Sequence, residues 1–584
     1  MKTLCVAMTC FMILTEGRVN GQHDRTRQGR GIPGKGGLAI TNLYYDSITQ
    51  TGITLFWTTD SPSDSKVWWM VPDSNYQPLV FTDSLFFTDE VADHEVPLTG
   101  LHPETIYRFR ITSGNTEGTA ADTGYFITQS TSSGSVDAYF NHTVDTTVSN
   151  GEKAKGSQNF EDLLMDRINQ STYSIDITLW EFADLTAIAN ALVQAKERGV
   201  KIRFIYNHDP NTPLIDSLLV HGMPVLKRNF DTVYAMHNKF WIFDYRGNPD
   251  AVTCYLNTGS SNVSHPMFHS DRNNMIFIQD ASLCAVYTRE FEQMWGSHKN
   301  FPDPVRARFG AQKTDNVPHL LNVAGTRMEV WFAPTDHVSS RYCSLIRAKT
   351  TKSFFFSIFK FSLEDIGDTL HAIFNAGKNI SGVFDFSHAF REKSVYPQMK
   401  GISATGAWNP PADVFIDTID GLLHHKYCLV DADAESGNKI TVTGSYNWDP
   451  TTDAGNDENS LVIFNDRINN LCFQEFMARY RESGGKLIGM VEPGSGGSGC
   501  LLEQNYPNPF HSATKIRYHL PEAGLVTIMI FDQYGNNIVQ LVREKEQAGI
   551  HEVNWDASVI AAGVYYYRLM AEGFSQTKKM VVIR

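Results

Sequence analysis

The chain has 584 residues, of which 42% are hydrophobic and 12% aromatic, so it predicts several domains with substantial cores and excludes disorder throughout. Fifty lysines and arginines stand against 64 aspartates and glutamates, which gives a formal charge of −14. This balance disfavours a protein that coats nucleic acid, although it allows a local basic cleft.

The first 21 residues predict a secretory signal peptide. Lys2 precedes an apolar run at residues 4–14, which is too short to span a bilayer. Val19 and Gly21 fit the positions before a cleavage site, so we expect cleavage after Gly21; a buried N-terminal strand or helix is the alternative. No other segment reaches transmembrane length, which predicts a soluble or surface-attached protein.

Residues 37–131 predict a β-sandwich. Short segments rich in β-branched and aromatic residues, such as 53–59 and 105–112, are separated by turn residues. The segment LHPETIYRFR, at 101–110, resembles the LxPxTxYxxR pattern of fibronectin type III modules, in which Trp57 would be the core tryptophan. The resemblance implies a spacer or adhesive module.

Residues 137–485 predict an α/β region built from two similar halves, at about 137–315 and 325–485. Each half begins with a strand, a helix and a second strand, which indicates a mainly parallel sheet between helices. In the first half the strand, helix and second strand lie at 173–182, 185–199 and 200–207. In the second half the strands lie at 353–361 and 380–386, and the helix between them ends near Gly377.

A polar motif occurs once in each half. The first copy reads HNKFWIFD followed by GSSN, and the second reads HHKYCLVD followed by GSYN. The second copy follows the first by 187 residues for HxKxxxxD and by 185 residues for GSxN. Two copies at nearly constant spacing rarely arise by chance, so we interpret them as one shared active site rather than a structural duplication. The residues are His237, Lys239, Asp244, Ser260 and Asn262 in the first half and His424, Lys426, Asp431, Ser445 and Asn447 in the second.

The chemistry of this set suits a phosphodiester. On a strand, residues i and i+2 point the same way, so each histidine projects with its lysine, and His425 points to the other side as a packing or surface residue. We predict that Ser260, Asn262, Ser445 and Asn447 follow the same rule and bind phosphate. One neutral imidazole can attack phosphorus while the other, protonated, supplies a proton to the leaving oxygen. A metal site fits less well because no carboxylate or cysteine set keeps matching spacing, so we expect neither metal nor cofactor.

The doubled motif resembles that of the phospholipase D superfamily, over about residues 137–485. The resemblance implies a metal-independent phosphodiesterase whose site lies at the pseudo-twofold interface of two sheet-based halves. The predicted fold class is therefore multidomain: a duplicated α/β core, with two mixed sheets flanked by helices, between N-terminal and C-terminal all-β sandwich domains.

The resemblance also implies roles for single residues. His237 would be the nucleophile and His424 the general acid, whereas Asp244 and Asp431 would be structural salt-bridge partners. The family tends to place an acidic residue after GSxN, behind the histidine. Glu458 fits this place in the second half, and Asp271 or an asparagine of HSDRNNMIFI occupies it in the first half and would orient His237.

The end of the chain predicts an export signal. Residues 491–500 predict a flexible linker, and 501–584 a small β-domain with a turn at Tyr534-Gly535. The segments LEQNYPNPF, AAGVYYYRL and TKKMVVIR resemble the type A sorting domain of the type IX secretion system. This implies Sec export, contact with that secretion machinery, and a secreted or cell-surface protein; a carbohydrate-binding or adhesion module is the alternative.

The leading functional hypothesis is a secreted phosphodiesterase that hydrolyses phospholipid head groups at a membrane surface through a phosphohistidine. A metal-independent endonuclease of the same superfamily is the first alternative; the acidic chain and the lack of a basic-aromatic module disfavour it. A non-catalytic surface adhesin is the second, and the complete polar set in both halves argues against it. The six cysteines beyond the signal show no CxxC, so disulfide pairing stays open.

Overall fold

The computed structural model describes residues 37–72, 80–207, 213–228, 233–417, 419–435, 437, 439–485, 501–520, 522–532, 536–571 and 574–584. The predicted signal peptide, the segment 22–36, the linker 491–500 and the turn at Tyr534-Gly535 lie outside these residues. Among the helices in the described ranges, none has the length and apolar character needed to cross a bilayer.

The N-terminal region is a single five-stranded antiparallel sheet. Its strands are β1 (Ile40–Asp46), β2 (Gly52–Met70), β3 (Asp83–Thr99), β4 (Ile106–Asn115) and β5 (Gly118–Ile127). The long β2 pairs with β1 through its first part and with β4 through its last part, so hydrogen bonds connect all five strands, and the fibronectin type III-like sandwich stays a prediction. Trp57 is a core residue, as expected: it is buried, and its Nε1 donates to Ser113 Oγ at 2.9 Å.

The first half of the central region contains a seven-stranded sheet with the order β6-β12-β11-β10-β7-β8-β9. Its strands are β6 (Val136–Phe140), β7 (Ser174–Leu179), β8 (Lys201–Tyr206), β9 (Val225–Lys227), β10 (Phe240–Phe243), β11 (Tyr255–Gly259) and β12 (Asn274–Ile278). Only the pairs β7–β8 and β8–β9 within this described sheet are parallel. The expectation of a mainly parallel sheet is wrong because β10, β11 and β12 follow one another through short connections and run antiparallel. The α-helix between β11 and β12, His265–His269, has only five residues.

The second half repeats this arrangement with eight strands in the order β13-β14-β20-β19-β18-β15-β16-β17. They are β13 (Leu320–Val323), β14 (Thr326–Ala333), β15 (Ser353–Ile358), β16 (Asn379–Phe384), β17 (Asp413–Ile416), β18 (Lys426–Val430), β19 (Ile440–Gly444) and β20 (Glu458–Phe464). A duplicated core with two mixed sheets between β-rich regions is therefore confirmed.

Helices cover these sheets and fill the space between them. They are α1 (Phe160–Gln170), α2 (Thr186–Glu197), α3 (Pro213–Val220), α4 (His265–His269), α5 (Ala281–Trp295), α6 (Val338–Lys349), α7 (Glu364–Asn375), α8 (Phe386–Ala389), α9 (Tyr396–Met399), α10 (Pro450–Gly455) and α11 (Asp466–Glu482). Tyr287 of α5 packs edge-to-face against Phe240 in the first sheet and Phe332 in the second. One hydrophobic core therefore joins the two halves.

The two halves meet through reciprocal hydrogen bonds that follow a pseudo-twofold relationship. Asn274 Nδ2 donates to Thr443 Oγ1 at 2.9 Å, and Asn459 Nδ2 donates to Thr258 Oγ1 at 2.7 Å. These residues are buried on β11, β12, β19 and β20, so amide and hydroxyl groups that would otherwise be costly to bury satisfy one another across the interface.

The C-terminal region is a β-sandwich of two sheets. The strands β21 (Leu501–Leu502), β22 (Ala513–Leu520) and β25 (Gly549–Asp556) form one sheet, and β23 (Gly524–Asp532), β24 (Asn537–Glu546), β26 (Gly563–Ala571) and β27 (Phe574–Val582) form the other. Alternating residues of β22, β23 and β26 are buried between them.

Candidate active site

The two motif histidines line the same cleft, which encloses about 680 Å³. His237 lies three residues before β10, and His424 lies two residues before β18. The rings of Trp180 and Phe359, which follow the neighbouring strands β7 and β15, lie at centroid distances of 6.0 Å from His237 and 4.8 Å from His424. Each half therefore contributes one histidine and one aromatic ring to the same cleft.

Each motif lysine lies beside its own histidine, as the i, i+2 spacing predicts. Lys239 Nζ is 2.9 Å from His237 Nε2 and donates to the His237 carbonyl at 2.9 Å. Lys426 Nζ donates to the His424 carbonyl at 2.7 Å. Both lysines are buried, so their ammonium groups have few competing water molecules.

The groups behind the two histidines come from the opposite half of the domain. Glu458 Oε2 is 2.8 Å from Nδ1 of His237, whereas Asn273 Oδ1 is 3.0 Å from Nδ1 of His424. Asn273 and Glu458 are separated by the 185 residues that relate the GSxN motifs. The site is therefore asymmetric: a carboxylate contacts one imidazole and a neutral amide contacts the other.

The sequence predicts that Asp271 can lie behind His237, but the structure places it elsewhere. Its Oδ1 accepts a hydrogen bond from the Leu422 amide at 2.8 Å, two residues before His424. The same contact occurs on the other side of the interface, where Asn456 Oδ1 accepts from the Ala235 amide at 2.8 Å. Asp271 thus belongs to the wall of the cleft near His424.

The serines of the two GSxN motifs hold the groups behind the histidines rather than facing a phosphate. Ser260 Oγ donates to Asn273 Oδ1 at 2.8 Å, and Ser445 Oγ donates to Glu458 Oε2 at 2.5 Å. The strand alternation stops at the preceding glycine, because β11 and β19 end there. A Cβ on Gly259 would lie 2.2 Å from the Asn274 carbonyl oxygen, which explains why glycine stands at this position.

The asparagines of the GSxN motifs have free polar atoms. Both side-chain polar atoms of Asn262 and the Oδ1 of Asn447 are buried without a hydrogen-bond partner in the described part of the chain. Asn447 also lines the cleft. Asn262 Nδ2 is a donor suited to a phosphate oxygen, whereas the Oδ1 of Asn447 is an acceptor, so Asn447 would bind phosphate through its Nδ2 instead. Because buried amides usually find partners, both residues remain our candidates for binding a substrate phosphate.

The aspartates of the HxKxxxxD motifs are structural. Asp244 accepts hydrogen bonds from the amides of Thr172, Tyr173 and Ser174, where β7 begins. Asp431 makes the same contacts with residues 351–353 at the start of β15. The expected structural role agrees with this geometry, but the partners are backbone amides instead of the expected charged side chains, and neither aspartate lines the cleft.

One cluster outside the cleft has the composition of a metal site. In the described ranges, ligand atoms of Asp315, His319 and Asp336 lie within 4.8 Å of one another. However, His319 Nε2 contacts Asp315 at 3.0 Å while its Nδ1 contacts the Val330 carbonyl at 2.9 Å. An imidazole that donates from both nitrogens is a cation and has no lone pair for a metal.

Comparison with known proteins agrees with this geometry. Residues 164–295 and 342–480 match the family model described as the PLD-like domain of cardiolipin synthase. This part of the chain is therefore a phospholipase D-like domain. Residues 504–583 match the secretion system C-terminal sorting domain, so the protein is secreted or displayed at the cell surface.

Relatives of the phospholipase D-like domain include mitochondrial cardiolipin hydrolases. The Drosophila melanogaster protein is 29% identical over 147 residues, which cover 23% of this chain and 57% of the relative. The Mus musculus protein is 27% identical over 143 residues, covering 24% of this chain and 58% of the relative. The chain thus spans a little over half the length of these curated relatives.

Two solved structures resemble parts of this chain. Phosphatidylserine synthase from Haemophilus influenzae gives a TM-score of 0.39 at 10% identity, covering 59% of this chain and 86% of that one. Nuc from Salmonella typhimurium gives a TM-score of 0.23 at 21% identity, covering 27% of this chain and 97% of that one.

Burial sets the protonation states in the phospholipase D-like site. It lowers the pKa of His237 to about 4, since the opposing effect of Glu458 is partly cancelled by Lys239. Burial and the charges of Lys426 and Lys239 lower the pKa of His424 well below its usual value. Burial also lowers the pKa of Lys239 to about 7, and burial together with the charge of Lys239 lowers the pKa of Lys426 well below its usual value. A bound anion would favour the charged forms of all four groups.

The sequence left open whether Asp271 or an asparagine of HSDRNNMIFI stands behind a histidine. The structure places Asn273 there, at the motif offset from Glu458, but beside His424 and not beside His237. Residues that line the cleft beyond the motifs come from the segments that follow the strands, including the short helix α8; they include Glu181, Asp184, Lys360, His388 and Asp449.

Proposed function

We propose that the protein is an exported phosphodiesterase that hydrolyses phospholipid head groups through a phosphohistidine on His237. The observation that carries this proposal is the placement of His237 and His424 in one cleft with different partners. His237 contacts the Glu458 carboxylate, and His424 contacts the Asn273 amide. A nucleophile that becomes cationic and an acid that must give up a proton need these two different environments.

In the first step, Nε2 of His237 attacks phosphorus and the P–O bond to the leaving alcohol breaks. The ring gains positive charge, which the Glu458 carboxylate stabilises through Nδ1–H. Protonated His424 gives its proton to the leaving oxygen. Lys239, Lys426 and the Asn447 amide are placed to stabilise charge on the non-bridging oxygens.

In the second step, water attacks the phosphohistidine from the side that the alcohol has left. Neutral His424 takes a proton from this water, and the P–N bond breaks to restore neutral His237. The net reaction converts a phosphodiester and water into a phosphomonoester and an alcohol. In this scheme every proton and charge is handled by a named side chain, so we expect activity in the presence of a chelator.

The walls of the cleft favour a substrate with a single phosphodiester. Four carboxylates line the cleft, from Glu181, Asp184, Asp271 and Asp449. They would repel the flanking phosphates of a nucleic acid, whereas a phospholipid such as phosphatidylcholine presents one phosphodiester, and cardiolipin two, beside apolar chains. Trp180, Met267 and Phe359 offer apolar contacts in the same cleft. The similar cardiolipin hydrolases are named for a lipid substrate.

The test compares substrates for the full chain in the presence of EDTA. We expect release of head groups from vesicles of phosphatidylcholine, phosphatidylethanolamine or cardiolipin, and no nicking of plasmid or single-stranded DNA. His237→Ala and His424→Ala should each abolish release, and His425→Gln, at the adjacent buried histidine, should retain it in folded protein. DNA nicking without head-group release would replace this proposal by the endonuclease.

A further inference from the structure

Asp457 lies immediately before Glu458, and its backbone pairs with the segment that carries His237. The His237 amide donates to the Asp457 carbonyl at 2.9 Å, and the Asp457 amide donates to the Ala235 carbonyl at 2.9 Å. Asp457 and Glu458 therefore hold His237 from two directions, one through the main chain and one through the ring. Any movement of this dipeptide changes both contacts together.

The side chain of Asp457 is fixed by three donors that all come from the first half of the domain. Its Oδ2 accepts from Arg228 Nη1 at 2.7 Å, and its Oδ1 accepts from the Gly310 amide at 2.7 Å and lies 3.1 Å from Lys313 Nζ. Asp457 is fully buried. A buried carboxylate with two cations is strongly destabilised when either side of the pair is removed.

The position related to Asp457 by pseudo-twofold symmetry has a different side chain. The His424 amide donates to the Arg272 carbonyl at 3.0 Å, which repeats the backbone contact. The Arg272 guanidinium, however, donates to the carbonyls of Ser270 and Asp420 at 2.6 and 3.2 Å. The buried carboxylate with two cations thus occurs on the side of His237 and not at the equivalent position beside His424.

We propose that Asp457, held by Arg228 and Lys313, is a positioning residue for His237. This inference rests on the proposed function, because it assigns His237 as the nucleophile. The attacking nitrogen must stay aligned with phosphorus, and a displacement of about 1 Å can cost about 100-fold in rate. His424, the proposed acid, transfers a proton and tolerates more movement. This accounts for the absence, within the described ranges, of a buried ion pair at Arg272, the residue equivalent to Asp457.

The test measures formation and breakdown of the phosphoenzyme separately, with bis(p-nitrophenyl) phosphate as a soluble diester and with the full chain. For Asp457→Asn we expect formation to slow by about 10- to 100-fold. The KM should change less than about twofold, and hydrolysis of the phosphoenzyme, which depends on His424, should keep its rate. The matched control is Asp176→Asn, which alters a buried carboxylate paired with Arg203 and Arg246 on β7. It should lower the melting temperature and leave phosphoenzyme formation by folded protein unchanged.

A second variant keeps the test decisive if Asp457→Asn does not fold. Arg228→Lys preserves the charge opposite Asp457 and should retain most of the rate, whereas Arg228→Met should slow phosphoenzyme formation selectively. Equal effects on formation and breakdown, or no kinetic effect in folded variants, would overturn the inference. A wild-type protein that forms no phosphoenzyme would instead overturn the proposed function.

Discussion

The carboxylate of Glu458 lies 2.8 Å from Nδ1 of His237, although the two residues belong to different halves of the phospholipase D-like domain. Burial opposes its charge, but the contact with His237, the charge of Lys239 and the hydrogen bond from Ser445 outweigh burial and lower the pKa of Glu458, so this side chain is ionised at neutral pH. Its negative charge should stabilise the cationic phosphohistidine that forms on His237.

We therefore expect Glu458→Gln to lower kcat by about 100-fold or more, because the amide can orient the ring but cannot balance its charge. Single-turnover measurement of phosphoenzyme formation would check this prediction. Ser445→Ala removes only the hydroxyl that holds Glu458 and should have a smaller effect. Equal activity of Glu458→Gln and the wild type would contradict the assigned role.

The amide of Asn273, the neutral partner of His424, leads to a prediction about the pKa of that histidine. Asn273→Asp would place a carboxylate 3.0 Å from Nδ1 of His424 and raise the pKa of this imidazole, by about one unit or more. The decline of kcat/KM at high pH should then move to higher pH. Asp271→Asn is the matched control, since Asp271 contacts the Leu422 amide rather than the ring. An unshifted profile for Asn273→Asp would refute the acid role of His424.

The pH dependence of kcat/KM reports the free enzyme. His237, with a pKa of about 4, becomes neutral and nucleophilic above that pH, so activity should rise there. His424 must be protonated, and its pKa is lowered, so the decline should begin below pH 6.5 and steepen above about pH 7, where Lys239 loses its charge. Lys239→Arg keeps a charge at all these pH values, so its kcat/KM should not show the steeper decline above about pH 7. A profile that is flat between pH 5 and 8 would contradict these protonation states.

Asp244 should affect stability and not chemistry. Asp244→Ala removes an acceptor for three backbone amides at the start of β7 and should cost about 2 kcal/mol or more of unfolding free energy. Thermal unfolding together with kcat/KM per folded molecule would check this. Asp244→Asn retains one acceptor oxygen and tolerates the positive φ of 54° at this residue, so it should be milder. A selective loss of kcat in folded Asp244→Ala would place this aspartate in the reaction.

The raised pKa of His319 predicts that the protein loses stability at alkaline pH. Burial opposes its charge, but Asp336 and Asp315 outweigh burial and raise the pKa of His319 to about 9. The stabilisation is present below an unfolded pKa of about 6.5 and is lost as pH rises through 9, with a total of roughly 3 kcal/mol. The melting temperature should therefore fall between pH 6.5 and 9.5 in the wild type and fall less in His319→Gln. His94→Gln is the control, because the pKa of His94 is lowered to about 4 by burial.

Sequence reasoning predicted the duplication and the shared cleft because the motif spacing is a property of the chain itself. The i, i+2 rule placed Lys239 beside His237 correctly, although both residues precede β10. The same rule failed for Ser260, since β11 ends at Gly259 and alternation no longer applies to the residues that follow.

Spacing could not reveal which half supplies the partner of each histidine. Both halves carry a residue at the same offset after GSxN, so Glu458 could face either His424 or His237 by sequence alone. The packing of β12 against β19 and of β20 against β11, through pairs such as Asn274 with Thr443, decides the crossed arrangement. The sequence also predicted too many parallel strand pairs. A helix between two strands indicates that those two strands are parallel, but it does not indicate the direction of the strands that follow.

The crossed partners have an evolutionary consequence. A dimer of two identical first halves would place Asn273 behind both imidazoles, and a dimer of two second halves would place Glu458 behind both. In either dimer only the bound substrate would distinguish the two histidines. In a single polypeptide each copy can change alone, which permits the different partners of His237 and His424.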